Sequence, residues 1–190
     1  MTTPLTVDQL QPRLQQLTVI DVRSPGEFAG GHIPGAHNVP LDQLSQALPA
    51  LRAAAARGEL AITCASGARA GNACEQLAAA GISALLISGG TAAWAAGGHP
   101  LNRVPGEKVR WGLDRQVRMV AGSLVLAGVV VDLAVPGVRW VSAAVGFGLL
   151  FSAATNTCAM GAMLSKLPYN RPRNSGAAFQ ATLAALHGGK

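Results

Sequence analysis

Hydrophobic residues in the first hundred positions form short apolar runs separated by amphipathic segments. Residues 17–22, 60–64 and 84–88 are apolar or β-branched almost throughout, which is typical of buried strands. A short strand is also expected near Val39. The intervening segments are rich in Ala, Leu and Gln and close with glycine, as helices do. Thr6 and Gln9 match a capping box that opens a first helix. This alternation predicts an α/β fold with a parallel sheet and flanking helices.

The second half of the chain has a different pattern. Residues 119–138 contain one charge, Asp132, and residues 140–165 contain none. A helix needs about 20 mainly apolar residues to cross a bilayer. We therefore predict an α-helical transmembrane hairpin with helices at about 119–135 and 140–164, and a turn at Pro136 that brings Asp132 to the membrane surface. The alternative, two core helices of a soluble domain, would leave that small domain almost without polar surface.

These patterns predict four segments along the chain. They are an α/β domain over residues 1–103, a linker over 104–114, a two-helix membrane domain over 115–168 and a cytoplasmic tail over 169–190. The stretch at 99–107 contains two prolines and a glycine, which favour irregular backbone. A chain cut at Pro105 is expected to be soluble and to keep the activity of the first domain.

Composition and charge agree with a membrane segment. Of 190 residues, 49% are hydrophobic and 13% are charged, about half the charge usual in soluble domains. Residues 104–190 supply the whole net charge of +6. Their basic residues flank the apolar runs and form no stripe with aromatics, which argues against nucleic-acid binding. Basic residues are many before and after the hairpin and one in its turn, Arg139, so both termini are expected in the cytoplasm. The first residues lack the pattern of a signal peptide.

Cys64 is the candidate nucleophile. The three cysteines, Cys64, Cys74 and Cys158, are too scattered for a disulfide framework or a zinc cage, and no metal or cofactor is predicted. Cys64 ends a predicted strand and is followed by a loop of small residues and a helix. Loop N–H groups, the helix N-terminus and the Arg69 cation would all favour a thiolate or persulfide anion. The alternative is a buried structural cysteine.

The residues around Cys64 belong to a wider pattern. Four segments resemble the rhodanese homology signature: IDVRSPGEF at 20–28, GHIPGAHNVP at 31–40, CASGAR at 64–69 and ISGGTAAW at 87–94. The resemblance implies a rhodanese-like fold and a sulfurtransferase that carries a persulfide on Cys64. Sulfane sulfur would come from a donor such as thiosulfate and pass to cyanide or to a small-molecule or protein thiol.

The same resemblance assigns roles to further residues. The loop that binds persulfide and substrate would comprise Ala65, Ser66, Gly67, Ala68 and Arg69. Asp21 and Arg23 are expected in buried ion pairs with Glu27 as a partner, and His32 in a hydrogen-bonded scaffold; Cys74 is expected in the core. Related phosphatases have five residues between their Cys and Arg, whereas four separate Cys64 from Arg69. The smaller loop suits sulfur better than phosphate.

The hairpin resembles the C-terminal domain of bacterial inner-membrane rhodaneses of the YgaP type. The similar residues are RQVR at 115–118, AGSLVL at 121–126, GFGLLF at 146–151 and LPYNR at 167–171. This resemblance implies a multi-pass protein of the bacterial inner membrane that forms a homodimer in the bilayer. Ala144, Gly148, Ser152 and Asn156 recur every four residues, as on a helix face that packs closely. Packing between the two helices of one chain is the alternative.

Two classes of function follow from these resemblances. The first is a membrane-bound sulfurtransferase. The second is a sensor of redox or nitrosative state, or a transport component for a small anion such as thiocyanate, that uses the same cysteine. A two-helix unit is thin for a transporter, so the enzyme is favoured. Cys158, near the cytoplasmic end of the second helix, is expected to be a packed membrane cysteine.

Overall fold

The computed structural model describes residues 4–106, 111–155, 159–171 and 175–188. The chain divides into two compact units. An α/β unit combines Met1–Arg110 with Pro168–Lys190, and a helical unit comprises Trp111–Leu167. The α/β unit is therefore discontinuous, because the helical unit is inserted near the end of the chain.

A five-stranded sheet forms the centre of the α/β unit, with strands in the order β1-β5-β4-β2-β3 and every described pairing parallel. The three apolar runs predicted as strands are confirmed as β2, β4 and β5. The edge strand β1 was not predicted; it is two residues long and begins with proline, which an edge position tolerates. The strands are β1 Pro4–Leu5, β2 Thr18–Asp21, β3 His37–Asn38, β4 Leu60–Thr63 and β5 Ala84–Ile87.

Four helices connect these strands, and a fifth follows β5. The predicted capping box at Thr6 is confirmed, since its hydroxyl accepts from the Gln9 N–H and the Gln9 side chain accepts from the Thr6 N–H. Short 3-10 turns at Gln11–Arg13 and Leu41–Gln43 follow the first helix and precede the third. The helices are α1 Val7–Leu10, α2 Pro25–Gly30, α3 Leu44–Ala55, α4 Ala68–Ala79 and α5 Gly90–Ala96.

The two faces of the sheet bury separate clusters of apolar side chains. Because successive strand residues point to opposite faces, Ile20 and Ile62 belong to one cluster, whereas Val19 and Ala61 belong to the other. Helices α3 and α4 cover the first face, and Trp94 of α5 lies in the cluster on the second. Cys64 directly follows the central strand β4 and belongs to the first cluster.

A further helix, α9 Ser175–Gly188, completes the first cluster. Phe179 and Leu186 of α9 are buried there with side chains of α3. Arg57 donates hydrogen bonds to the carbonyls of Leu186 and His187 at the end of α9, which have no partners inside the helix. Residues assigned by sequence to a tail at 169–190 thus pack in the α/β unit. A chain cut at Pro105 would expose this apolar face, so the expectation that it is soluble is revised.

The helical unit contains α6 Leu113–Asp132, α7 Arg139–Thr155 and α8 Ala159–Ser165. A Cβ on Gly128 of α6 would lie 2.2 Å from the hydroxyl oxygen of Ser142 on α7, and that hydroxyl donates to the Val125 carbonyl at 2.9 Å. Small residues therefore allow close helix packing here. Ala144 and Gly148 are exposed in this single chain, and Asn156 and Cys158 lie outside the described residues.

Asp132 organises the turn between α6 and α7. Its carboxylate accepts from the N–H groups of Gly137 at 2.7 Å and Arg139 at 3.1 Å, and it pairs with the Arg139 side chain at 3.7 Å. These partners lower the cost of a charge close to lipid. The lone charge in the first apolar run therefore belongs to the turn.

The helices differ in length from the predicted spans. Helix α6 starts at Leu113 and takes in Asp114, Arg115 and Arg118. The predicted second helix at 140–164 is instead two helices, α7 and α8, bent by 94°. The Thr155 hydroxyl at the end of α7 donates to the Phe151 carbonyl at 2.8 Å, a contact that bends helices. Among the described residues, no single helix meets both the length and the apolarity needed to cross a membrane, but α7 and α8 meet them as a bent pair.

Replacement of Phe179 tests the place of α9. Phe179→Ala removes a buried ring from the cluster with α3 and should lower the free energy of unfolding of the α/β unit by about 3 kcal/mol. Gln180→Ala, at an exposed neighbour on the same helix, should have little effect. Thermal unfolding of the full chain in detergent, followed by circular dichroism, measures both. Equal midpoints for the two variants would contradict the packing of α9.

Candidate active site

Cys64 lies immediately after β4 and is 1% exposed. The Gly67 N–H donates to its Sγ at 3.1 Å. Gly67 precedes α4 with φ of +109°, a left-handed conformation that glycine adopts without strain. The loop therefore turns back toward the sulfur and brings the N-terminus of the twelve-residue α4 to the same place. Both features favour negative charge on sulfur.

The turn between β5 and α5 holds the Cys64 loop from the other side. The Thr91 N–H donates to the Cys64 carbonyl at 2.8 Å, and the Ala92 N–H donates to the Ala65 carbonyl at 3.0 Å. The Thr91 hydroxyl adds a bond to the Cys64 carbonyl at 3.2 Å. The backbone of the loop is thus fixed by a segment distant in sequence.

Gly90 makes this contact possible. A Cβ on Gly90 would lie 2.2 Å from the Cys64 carbonyl oxygen, and φ at this position is +60°. Gly90 lies in one of the segments that resemble the rhodanese signature, but no role in the site was predicted for it. The signal was present, because two consecutive glycines directly after a strand indicate a close backbone approach.

Arg69 is held by a buried carboxylate. Its Nη1 and Nη2 donate to the two oxygens of Glu27 at 2.8 and 2.9 Å, a bidentate pair. Burial lowers the pKa of Arg69, but the hydrogen bonds and charge of Glu27, with smaller contributions from Cys64 and Asp21, more than offset it, so the net pKa is raised. Arg69 therefore stays a cation, and Glu27 balances its charge.

Glu27 also caps the helix that carries it. Its carboxylate accepts from the N–H of Ser24 at 3.1 Å and from the Ser24 hydroxyl at 2.9 Å. The Glu27 N–H in turn donates to that hydroxyl, which completes a capping box at the start of α2. One carboxylate thus joins the start of α2 to the loop of Cys64.

Asp21 and Arg23 form a second buried pair, at 2.6 Å between Oδ2 and Nη2. Arg23 also donates to the Gly31 carbonyl at 2.7 Å. Glu27, expected as a partner of this pair, makes its bidentate contact with Arg69. The segment between β2 and the start of α2 is therefore fixed by two buried ion pairs.

His32 lies in a scaffold of local contacts. Its Nδ1 is 2.9 Å from the Phe28 carbonyl oxygen, and its ring stacks on Phe28 with 3.8 Å between centroids. Its backbone pairs with Asn102 in both directions. These contacts connect the segment after α5 with α2. His32 therefore has a structural role.

The second described cysteine lies in the core. Cys74 is buried on α4, and burial, with a smaller contribution from the charge of Glu75, raises its pKa to about 11. At neutral pH Cys74 is therefore an un-ionised thiol, which is a poor nucleophile. Cys158 lies outside the described residues.

Gly90→Ala tests the contact between the two loops. The added Cβ must displace the Cys64 backbone or adopt a strained φ, so the free energy of unfolding should fall by about 2–4 kcal/mol. Gly71→Ala is the matched control, because a Cβ there meets nothing within 4 Å and alanine favours a helix interior by about 0.5–1 kcal/mol. Thermal unfolding should thus shift down for the first and stay level or rise for the second. A tolerated alanine at Gly90 would disprove the close approach.

Comparison with known proteins agrees with this arrangement. Residues 6–97 match the rhodanese-like domain model, and residues 112–173 match the inner membrane protein YgaP-like transmembrane domain model. An uncharacterized protein of Synechocystis, slr1261, is 38% identical over 170 residues, which cover 88% of this chain and 92% of slr1261. The uncharacterized protein YqhL of Bacillus subtilis is 50% identical over 42 residues, 22% of this chain and 33% of YqhL.

A solved structure adds support at the level of fold alone. The BH2092 protein of Bacillus halodurans has a TM-score of 0.51 at 16% identity, over 60% of this chain and 88% of that protein. The predicted family and the predicted fold class are both confirmed. The α/β unit with Cys64 at its centre and the helical unit that follows have separate family matches. This chain belongs to the rhodanese family and is of the kind in which a rhodanese-like domain is joined to a YgaP-like membrane domain.

Proposed function

We propose that this protein is a membrane-bound sulfurtransferase that carries sulfane sulfur on Cys64. The observation that carries the proposal is the Cys64 sulfur at the end of β4, in contact with the Gly67 N–H at 3.1 Å and at the N-terminus of α4. Such a site favours a thiolate and equally a persulfide, whose terminal sulfur is also an anion. Small side chains at residues 65–68 leave room for a donor.

The reaction proceeds in two displacements. The Cys64 thiolate attacks the sulfane sulfur of a donor such as thiosulfate; the S–S bond of the donor breaks and sulfite leaves with its electron pair. Cys64 then carries a persulfide anion. An acceptor such as cyanide or a thiolate attacks the outer sulfur, and the electron pair of the broken bond returns to Cys64 as thiolate. Each step conserves charge and needs no external oxidant.

Arg69 acts in this scheme as a positioned cation. Its charge is balanced by Glu27, so it contributes directed N–H groups and loop rigidity more than net positive potential. The bidentate contact fixes α4 relative to α2 and so helps to fix the Gly67 N–H that contacts the sulfur. Such prior orientation lowers the barrier, because the donors need not reorganise during sulfur transfer.

Mass spectrometry of the full chain tests the proposal. Treatment with thiosulfate should add one sulfur atom to the protein, and cyanide should remove it. Cys64→Ala should abolish both the added mass and thiocyanate formation. Cys74→Ala is the control and should retain most of the activity, because the Cys74 thiol stays un-ionised at neutral pH. Undiminished turnover of Cys64→Ala would refute the assignment.

We infer that the helical unit anchors this enzyme in the bacterial inner membrane with both termini in the cytoplasm. Residues 4–106 and α9 pack in one unit, which supports a topology with the chain before and after the helical unit on one side of the bilayer. An even number of crossings fits this arrangement, and we assign one to the apolar run at 119–135 and the other to the bent α7–α8 pair. The excess of basic residues outside the turn supports the cytoplasm as that side.

The surface of the helical unit is suited to contact with lipid and with a second copy of the chain. Large apolar side chains are exposed along it, which water would disfavour. Trp111 precedes α6, Tyr169 follows α8 and Trp140 lies at the turn, as aromatic residues do at the two membrane surfaces. Ala144 and Gly148 offer an exposed face of small residues to a homodimer partner. The exposed apolar side chains include Leu126, Leu133, Phe147, Leu150 and Met163.

Cysteine labelling checks the orientation. In a Cys74→Ala, Cys158→Ala background, a probe at Pro136→Cys should react with an impermeant maleimide in intact cells, since Pro136 is in the turn. A probe at Gln180→Cys, on the exposed side of α9, should react only after the membrane is opened. Equal labelling of both probes in intact cells would contradict this topology.

A further inference from the structure

The segment that leaves the helical unit contacts the supports of the active site. Asn170 is completely buried, and its carbonyl accepts the Gly26 N–H at 3.1 Å. Gly26 is near the start of α2, where N–H groups have no intrahelical acceptor. The Asn170 carbonyl supplies the acceptor for Gly26, which is the residue before Glu27.

Arg171, the next residue, contacts the 3-10 turn that precedes α3. The Arg171 side chain forms an ion pair with Asp42, in the 3-10 turn Leu41–Gln43. The first residue of that turn, Leu41, donates its N–H to the Val22 carbonyl at 3.1 Å. We call residues 168–171 the clasp, because they join α2 to the turn before α3. Arg23 lies between Val22 and Gly26, and Glu27 directly follows Gly26.

A short series of contacts connects the clasp with the reacting sulfur. Gly26 is held by Asn170, and the adjacent Glu27 binds Arg69 through both carboxylate oxygens. Arg69 is in the first turn of α4, two residues after Gly67, whose N–H contacts Cys64 Sγ. A displacement of α2 would therefore move Glu27 and release Arg69.

We propose that Asn170 and Arg171 are positioning residues for sulfur transfer, so that the chain emerging from the membrane domain holds the Cys64 loop in its reactive geometry. The proposal rests on the sulfurtransferase function of Cys64. The clasp follows the helical unit directly: Leu167 is the last residue of that unit, and the clasp begins at residue 168. Membrane anchoring and catalysis then share one short segment.

Charge reversal in the full-length protein in detergent tests the clasp. Arg171→Asp and Asp42→Arg each place like charges face to face. We expect each to lower kcat/KM for sulfur transfer from thiosulfate to cyanide about tenfold, mainly through kcat, because a displaced loop loses orientation. The double variant restores the opposite charges and should recover to within about threefold of the unmodified chain.

Two controls separate positioning from general effects. Arg13→Asp reverses a charge in another ion pair of the same unit, with Glu59, and should leave the rate unchanged. The alkylation rate of Cys64 as a function of pH should shift in the two single variants and return in the double variant, whereas the unfolding midpoints stay within a few degrees. A folded protein with altered Cys64 reactivity supports the proposal.

The contrary results are distinct. Equal rates in the single variants, failure of the double variant to recover, or a loss explained by unfolded protein would each overturn the role of the clasp. Absence of sulfur on Cys64 in the unmodified chain would instead refute the proposed function. The alkylation rate of Cys64 would still test whether the clasp affects the Cys64 loop in that case, since alkylation needs no sulfur donor.

Discussion

The Cys64 site depends on one close backbone contact, between the loop after β4 and the start of α5. A thiolate in the interior is costly unless N–H groups face it, and those groups must be fixed before the donor arrives. Gly90 allows the second loop to approach the Cys64 carbonyl where a side chain would collide. The hydrogen bonds from Thr91 and Ala92 then hold the first loop so that the Gly67 N–H is directed at the sulfur.

Around this contact, charged groups are buried in pairs. Burying one member alone would cost several kcal/mol, whereas a bidentate pair with further hydrogen bonds recovers much of that cost. Asp21 with Arg23 and Glu27 with Arg69 both satisfy this condition. Glu27 with Arg69 joins α2 to α4 across 42 positions of sequence, whereas Asp21 with Arg23 is a local pair that reaches the end of α2 through the Gly31 carbonyl. Their main contribution is therefore geometry: they determine how α2 and α4 meet beside the cysteine.

The sequence was informative where the determinant is local. Apolar runs identified β2, β4 and β5, and the motif around Cys64 identified the loop, because strand burial and tight turns leave clear local patterns. The Arg69–Glu27 pair joins residues 42 positions apart, and no local pattern specifies such a contact. Helix α9 was assigned to a tail because its Ala-rich sequence has a weak amphipathic pattern. The burial of Phe179 and Leu186 depends on contacts with α3, which is distant in sequence. The bend between α7 and α8 was not predicted, because the charge-free stretch at 140–165 was interpreted as one helix although it contains polar residues such as Thr155 and Asn156.

The discontinuous α/β unit has a consequence for the order of biosynthesis. A ribosome releases the strands and Cys64 first, then the membrane helices, and last the segment with Asn170 and α9. Until that last segment emerges, one apolar face of the nascent domain is uncovered, and the start of α2 lacks its final hydrogen-bond acceptor. Folding of the rhodanese-like half is thus completed only after the membrane helices have been made. Mature thiol chemistry would then be confined to chains whose anchor has already been synthesised, and fragments released early would remain targets for proteolysis.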